Sequence, residues 1–121
     1  QLAKPMLKNQ YGQYLLKVAA RAAARELCRH VQARDTYRAA ALLAKYEKDR
    51  EGANRLLAQT MQAVSASLRR PGFDGLEADA AARLGRAAGE AARRIAANGN
   101  LRLALTLLAA EATAQDQSPL R

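Results

Sequence analysis

The segment from Ala96 to Ala112 constrains the fold more than any other part of the 121-residue chain, because a sharp break is followed there by the most apolar run. Gly99 can take the left-handed conformation that ends a helix, and the Asn100 side chain can accept from the first amides of the next helix. From Leu101 to Ala112 only three residues are polar, so the apolar side chains cannot share one stripe. We therefore expect a helix enclosed by others, preceded by a tight structural corner at Asn98, Gly99 and Asn100.

The composition predicts an all-α fold. Alanine and leucine dominate, β-branched residues are scarce and tryptophan is absent. The length suits one domain with one core. We predict a single compact bundle of about five helices with the apolar C-terminal helix at its centre. No run approaches the roughly 18 apolar residues that would cross a bilayer, so no membrane contact is expected.

The domain boundaries follow from composition and periodicity. Residues 1–10 contain Pro5 and are predicted to be a linker or tail, residues 11–114 the helical domain, and residues 115–121 a disordered tail. The first helix is expected from Tyr11 to Gln32. Its predicted inward face is Leu16, Ala20, Ala24, Leu27 and Val31.

Aspartates are predicted to cap the three middle helices, since each precedes an amphipathic segment. Asp35, or Thr36 beside it, opens a short helix that ends near Lys48 with Tyr37 inward. Asp49 opens a long helix, and Asp74 opens a fourth that ends near Ala97. Further expectations are Met61 and Leu68 inward on the third helix, a capping box from Glu77, and a hydrophobic staple from Phe73 to Ala78.

A small-residue face is visible on the fourth helix. Gly85 and Gly89 are four residues apart, with Ala92 close by, so another backbone can approach closely there. In a membrane this spacing is typical of dimerising helices. Because several arginines share the helix, we interpret the face as close packing within the bundle.

No catalytic constellation is evident in the sequence. Cys28 and His30 lie about 200° apart around a helix, so they cannot share a metal without distortion. Phosphate-cradling loops, nucleophile elbows and dinucleotide fingerprints are missing from the sequence. We expect this stretch not to be an enzyme and to have no cofactor and no small-molecule substrate.

The single cysteine and the N-terminal residues favour a cellular compartment and indicate a fragment of a longer protein. Cys28 is the single cysteine, which excludes an internal disulfide and favours a reducing cytoplasm. Residues 1–10 lack the apolar segment of a signal peptide, and the chain begins with Gln1 where an initiator methionine would stand. We expect a cytoplasmic fragment of a longer protein.

One basic surface emerges from spacing alone. The formal net charge is +9, and four cations recur every four residues on the first helix. Such a ridge can neutralise phosphates, can form an arginine-rich protein interface, or can simply face solvent. No aromatic residues interleave with it, which argues against stacking on single-stranded bases. This basic ridge consists of Lys17, Arg21, Arg25 and Arg29.

The last third of the chain resembles a known family. The segment Ala82 to Ala112, ARLGRAAGEAARRIAANGNLRLALTLLAAEA, is similar to the C-terminal region of bacterial DNA polymerase III clamp-loader subunits, most of all delta-prime. That region typically has an Asn-x-Asn corner followed by a run of the form L-x-L-A-L-x-x-L-L. Here the corner is Asn98 to Asn100 and the run is Leu101 to Leu108. The segment Ala41 to Leu68 resembles the preceding part of the family, where a charged turn leads into a long amphipathic helix.

The resemblance implies a collar domain. In such complexes one helical C-terminal domain from each of five subunits packs into a ring, and the ATPase and DNA-contacting modules lie elsewhere in the subunits. The implied function is oligomerisation that lets the clamp loader place the sliding clamp on primed DNA during replication. The implied partners are delta-like and gamma/tau-like subunits, with DNA contacted indirectly or weakly. The alternative is a basic helical module that binds nucleic acid directly through the basic ridge.

Overall fold

The computed structural model of the chain describes residues 3–114, with side chains from Asn9 onward apart from Asp74. Within this range there are five α-helices and no strand, so the predicted all-helical bundle is confirmed. A single 3₁₀ turn, Phe73–Gly75, lies between the third and fourth helices. The helices are α1 (Ala3–Gln32), α2 (Thr36–Ala44), α3 (Arg50–Arg69), α4 (Ala78–Ala96) and α5 (Leu101–Ala112).

Three of the helix starts are fixed by the predicted caps. The Asp35 carboxylate accepts from the Arg38 backbone N–H at 3.0 Å and opens α2. The Asp49 carboxylate accepts from the Gly52 N–H at 2.9 Å and opens α3. The Asn100 side-chain oxygen accepts from the Leu103 N–H at 2.9 Å and opens α5. Each cap satisfies one of the amide groups that a first helical turn leaves without a partner.

Two helix ends are closed by non-glycine residues in the left-handed conformation. At the end of α4 it is Asn98, with φ 63°, and not Gly99 that adopts it. The Gly99 N–H then donates to the Arg94 carbonyl at 2.8 Å, and the Asn98 N–H donates to the Ile95 carbonyl at 3.0 Å. This is the hydrogen-bond pattern of a Schellman motif, and asparagine tolerates it better than most residues. The end of α1 repeats the pattern around Arg34, whose φ is 55°.

The first helix begins earlier than the sequence predicts. Residues 3–10, expected to be a linker or tail, belong to α1. Pro5 does not prevent this because it lies in the first turn, where a backbone N–H has no intrahelical acceptor to lose. Residues 1 and 2 and the predicted tail over 115–121 lie outside the described residues.

The predicted start of α4 is wrong. Instead of an Asp74 cap, the 3₁₀ turn occupies Phe73–Gly75, and Gly75 has a φ of 75°. Glu77 is the residue before α4, but its side chain makes no capping bond, so no capping box forms. Its backbone N–H instead donates to the Gln32 side-chain oxygen at 2.9 Å. Leu76 is fully buried while Phe73 stays partly exposed, so the chain is anchored here by Leu76.

The C-terminal helix is not enclosed on all sides as its leucine content predicts. It packs against α4 and α2, and Leu103 on its outer face is 55% exposed. The central position belongs to α4, which packs against α3 on one side and α5 on the other. Two other details differ from expectation. Helix α2 ends at Ala44 and not near Lys48, and four large residues predicted inward are exposed, namely Leu16, Tyr37, Met61 and Leu68.

Candidate interaction surfaces

The basic ridge lies on the outside of the bundle. All four of its side chains, from Lys17 to Arg29, are exposed on α1. Over these residues the helix rises about 18 Å, at about 1.5 Å per residue. The ridge turns gradually around the helix, because four residues exceed one turn of 3.6. Its members therefore do not all face the same neighbour, and Arg21 and Arg25 border α3 while Arg29 does not.

A groove runs between α1 and α3. Its wider part has a volume of about 640 Å³ and a mixed lining of arginine, glutamine and apolar side chains. A narrower part of about 300 Å³ shares Gln59 with it and continues along the same two helices. We call the two together the α1–α3 groove. The wider part is lined by Arg21, Ala24, Arg25, Gln59, Met61, Gln62, Ala63, Ser65, Ala66, Arg69 and Phe73; the narrower part adds Gln13, Lys17, Ala20, Arg55 and Ala58.

The first half of α1 carries an apolar stripe that sequence reasoning missed. Tyr11, Tyr14, Leu15 and Val18 follow the i, i+3, i+4, i+7 spacing of one helix face, and each is at least 43% exposed. At 100° per residue, the stripe points about 160° away from the face that buries Ala20 and the later core residues of α1. The spacing carries this signal, but Leu16 continues the periodicity of Ala20 and Ala24 on the opposite side, and that periodicity predicts the Leu16 face as the inward one.

The three residues of the small-residue face of α4 differ in how closely another helix approaches them. A Cβ atom added at Gly85 would lie 3.1 Å from Cγ1 of Val64, so this glycine allows α4 to approach α3 closely. A Cβ atom at Gly89 would meet nothing within 4 Å, and Ala92 is exposed. Close approach of another helix within the bundle is therefore seen at Gly85 and not at Gly89 or Ala92.

The corner at Asn98, Gly99 and Asn100 has a structural role. A Cβ atom at Gly99 would lie 2.6 Å from the Arg94 carbonyl oxygen, so only glycine fits the close backbone approach. From α3, the Arg50 guanidinium donates to the Ile95 carbonyl at 2.9 Å. This bond ties the start of α3 to the end of α4 and adds a side-chain donor to a carbonyl that already accepts from the Asn98 N–H.

A second group of arginines holds helix ends together. Arg83 donates through Nε to the Ala112 carbonyl at 3.0 Å and through Nη2 to the Val31 carbonyl at 3.5 Å, so it links α4 to the ends of α5 and α1. Burial, followed by the charge of nearby Arg34, lowers the pKa of Arg83 below its ordinary value. Arg34 also donates to the Ala114 carbonyl. These arginines serve the fold, in contrast to the exposed ridge on α1.

The polar residues considered for chemistry do not converge. Cys28 is fully buried, and His30 lies 3.4 Å from the Glu26 carboxylate one turn away on α1. Among the described residues, no three His, Cys, Asp or Glu side chains form a group that could hold a metal ion. The distinctive features are therefore surfaces: the basic ridge, the α1–α3 groove and the apolar stripe.

No family model matches the sequence, and no curated protein or solved structure matches it either. Over residues 3–114, none of the helices combines the length and the apolar content that a membrane span requires. Over the described residues, fold and surfaces define a five-helix bundle with one exposed basic face and one exposed apolar face on α1.

Proposed function

We propose that the chain is an assembly domain of the clamp-loader collar kind, which joins other helical subunits through the apolar stripe of α1. The observation that carries the proposal is that stripe: Tyr11, Tyr14, Leu15 and Val18 form a continuous apolar helix face that the described bundle does not cover. Exposed contiguous apolar surface of this kind marks protein interaction sites.

The orientation of the stripe favours another helix as its partner. Because the stripe points away from the core, covering it with helices α2 to α5 would require rotating α1 and exposing Leu27 and Val31. An i, i+3, i+4, i+7 pattern is the face that a helix presents to a helical groove or to a second helix. Two tyrosines add large apolar surface with polar tips, a combination enriched at protein interfaces.

The identity of the partners rests on the sequence resemblance. The segments Ala41 to Leu68 and Ala82 to Ala112 carry it, and they correspond to most of α3, α4 and α5. Under this proposal the partners are delta-like and gamma/tau-like clamp-loader subunits, and the domain acts by holding their ATPase modules together. The domain itself then performs no catalysis.

The test is a mass measurement on mixtures. The chain would be combined with the C-terminal domains of the other clamp-loader subunits from the same source, and complex masses determined by light scattering. We expect a hetero-oligomer for the unaltered chain and, for Tyr14→Lys, an affinity lower by roughly tenfold or more, since each tenfold corresponds to about 1.4 kcal/mol. Failure of every mixture to form a complex would overturn the proposal.

A matched control is available on α2. Tyr37 is 83% exposed and lies outside the stripe, so Tyr37→Lys makes the same chemical change at a surface the proposal does not use. Assembly should be retained in Tyr37→Lys and lost in Tyr14→Lys. Equal losses in the two variants would mean that a general change in charge, and not the stripe, is responsible.

A second candidate function is direct nucleic-acid binding, favoured by the exposure of all four cations of the basic ridge. Neutralising phosphates with these side chains predicts an affinity that falls steeply with salt. A duplex-DNA titration at two salt concentrations, repeated with Arg21 and Arg29 replaced by glutamine, separates this function from assembly. Tight binding that depends on those arginines, without any subunit association, would favour the nucleic-acid module.

A further inference from the structure

We propose that the α1–α3 groove binds an amphipathic helix from a partner protein, one that carries acidic residues beside an apolar stripe. None of the stripe residues Tyr11, Tyr14, Leu15 and Val18 lines the groove, so the inference is argued from other residues than the assembly function is. It rests on three properties of the groove: an apolar floor, a basic rim and the length and direction of its two walls.

The floor is apolar and made of small side chains. Ala24 and Ala63 are buried at its base, and Ala20 and Ala66 extend it in both directions. Because alanine side chains are short, the floor leaves room for the larger side chains of an occupant. Two large apolar residues of the wider part, Met61 and Phe73, are each 39% exposed. An occupant with leucine-like side chains would cover them and remove their apolar surface from water.

The rim is basic. Lys17, Arg21 and Arg25 on α1 face Arg55 and Arg69 on α3 across the groove. None of the described lining residues is acidic, while the whole chain has a net charge of +9. Cations on both sides of one cleft reinforce each other's potential and attract a negatively charged occupant. A second copy of this chain would bring more positive charge to the groove, so charge complementarity favours a different, acidic partner.

The walls are two helices that run alongside each other in the same direction. Residues 13–20 of α1 border residues 55–59 of α3, and residues 21–25 border residues 59–69. From Gln13 to Arg25 the groove therefore follows α1 for about 18 Å, which is the length of about 12 residues of a third helix. A helix laid in this groove places its apolar face on the alanine floor and its flanking carboxylates near the two rows of cations.

The same features favour a peptide over a nucleic acid. A phosphate backbone would use the cations but would leave the apolar floor, Met61 and Phe73 without a matching surface. The cation Arg29 continues the basic ridge but does not line the groove. The groove is thus more selective than the ridge as a whole, because it combines charge with apolar contact.

The experiment measures binding of a defined probe to the full chain by fluorescence anisotropy. The probe is a labelled helical peptide of about 16 residues, with leucines at i, i+3, i+4 and i+7 positions and glutamates on both flanks; its twin replaces every glutamate with glutamine. We expect the acidic peptide to bind and the twin to bind at least about tenfold more weakly. Equal binding of the two peptides, or no binding of either, would overturn the proposal.

Variants of the chain locate the binding. Arg21→Glu and Met61→Gln should each weaken binding of the acidic peptide, the first by roughly tenfold because it places a like charge at the rim. The matched control is Arg86→Glu, an exposed arginine of α4 that does not line the groove. The affinity of Arg86→Glu for the acidic peptide should stay within about twofold of that of the unaltered chain. Circular dichroism of all variants checks that they are folded. A loss in Arg86→Glu equal to that in Arg21→Glu would show that net charge alone drives binding and would overturn the proposal.

A competition experiment tests whether a nucleic acid, and not a peptide, occupies the α1–α3 groove. A single-stranded and a duplex oligonucleotide would be titrated against the bound peptide at two salt concentrations. The proposal is overturned if an oligonucleotide displaces the peptide at a lower concentration than unlabelled peptide does and also binds through the cations alone. Binding through the cations alone means that Arg21→Glu abolishes binding of the oligonucleotide while Met61→Gln retains it. The groove would then be a phosphate site. Weaker competition by both oligonucleotides than by unlabelled peptide would support the peptide.

Discussion

Both halves of α1 carry apolar side chains, but the bundle buries those of the second half and leaves those of the first half exposed. From Ala20 onward, the helix buries its apolar side chains in the bundle, with Leu27 and Val31 completely enclosed. From Asn9 to Ala19 no side chain is buried, although the tyrosines, leucines and valine there are at least as bulky. The bundle therefore stabilises the second half through packing, while the first half depends mainly on helix propensity.

The difference has an energetic consequence. Isolated helices of about 12 to 15 residues are marginal in water, because nucleation is costly and each added residue contributes little. The first half of α1 avoids the nucleation cost since it extends an anchored helix, but it buries much less apolar surface than the second half does. A partner on the apolar stripe would supply the missing packing and reduce fraying at the same time.

The largest effect should come from shortening a leucine in the anchored half. Leu27 is 0% exposed, so Leu27→Ala removes buried apolar contacts and leaves a cavity. We expect it to lower the free energy of unfolding by about 2–5 kcal/mol in chemical denaturation. Leu15→Ala, the same change in the exposed half, should lie within about 0.5 kcal/mol of the unaltered chain. Similar costs at both positions would show that the two halves are equally packed and would remove the contrast.

A smaller effect is expected at the point where the anchored end of α1 meets α4 and α5. Arg83→Met keeps much of the aliphatic stem but removes the donors to the Ala112 and Val31 carbonyls. We expect a loss of about 1–3 kcal/mol, because the Ala112 carbonyl loses its side-chain donor, while the Val31 carbonyl keeps only the Arg34 backbone N–H. Arg21→Met, on the exposed ridge, serves as the control and should change stability by less than about 0.5 kcal/mol. Thermal unfolding of both variants, followed by circular dichroism, decides between a structural and a surface role.

The smallest expected effect comes from two glycine-to-alanine substitutions, which distinguish the local stability of the first half of α1 from the global stability of the bundle. Gly12 and Gly89 are both helical glycines at which an added Cβ atom meets nothing within 4 Å. Alanine should stabilise a helix at either position by about 0.5–1 kcal/mol. Gly89→Ala should raise global stability in denaturant, whereas Gly12→Ala should only slow amide hydrogen exchange in the first half of α1. A shift of the global denaturation midpoint by Gly12→Ala would mean that the first half unfolds together with the bundle.

Local signals predict the fold where one residue type decides the outcome. Asp35, Asp49 and Asn100 cap helices as expected, because an N-cap needs only a short side-chain acceptor and the following amides. The start of α4 is missed because a 3₁₀ turn and a buried Leu76 replace the local cap, and both depend on neighbouring helices. The peripheral position of α5 likewise depends on where α4 lies, which no pattern within α5 reveals.

The candidate sites likewise could be predicted only as far as the spacing within one helix determines them. The basic ridge is predictable because four-residue spacing alone places Lys17 and Arg29 on the exposed side of α1. The apolar stripe was visible in the same way, but choosing between it and the Leu16 face requires knowing which one the bundle covers. The α1–α3 groove cannot be predicted from periodicity, since it depends on two segments more than 30 residues apart in sequence lying side by side.

The alanine content of α4 has a further consequence for how this protein responds to heat and denaturant. Five of the seven buried residues of this central helix are alanines, and only Leu84 and Ile95 are larger. Alanine loses no rotamer freedom on folding, but it also removes little apolar area from water. Unfolding should therefore change the heat capacity less than in a leucine-rich bundle of equal length, and the denaturant dependence should be shallower. The stability of the chain should accordingly form a broad, low dome across temperature.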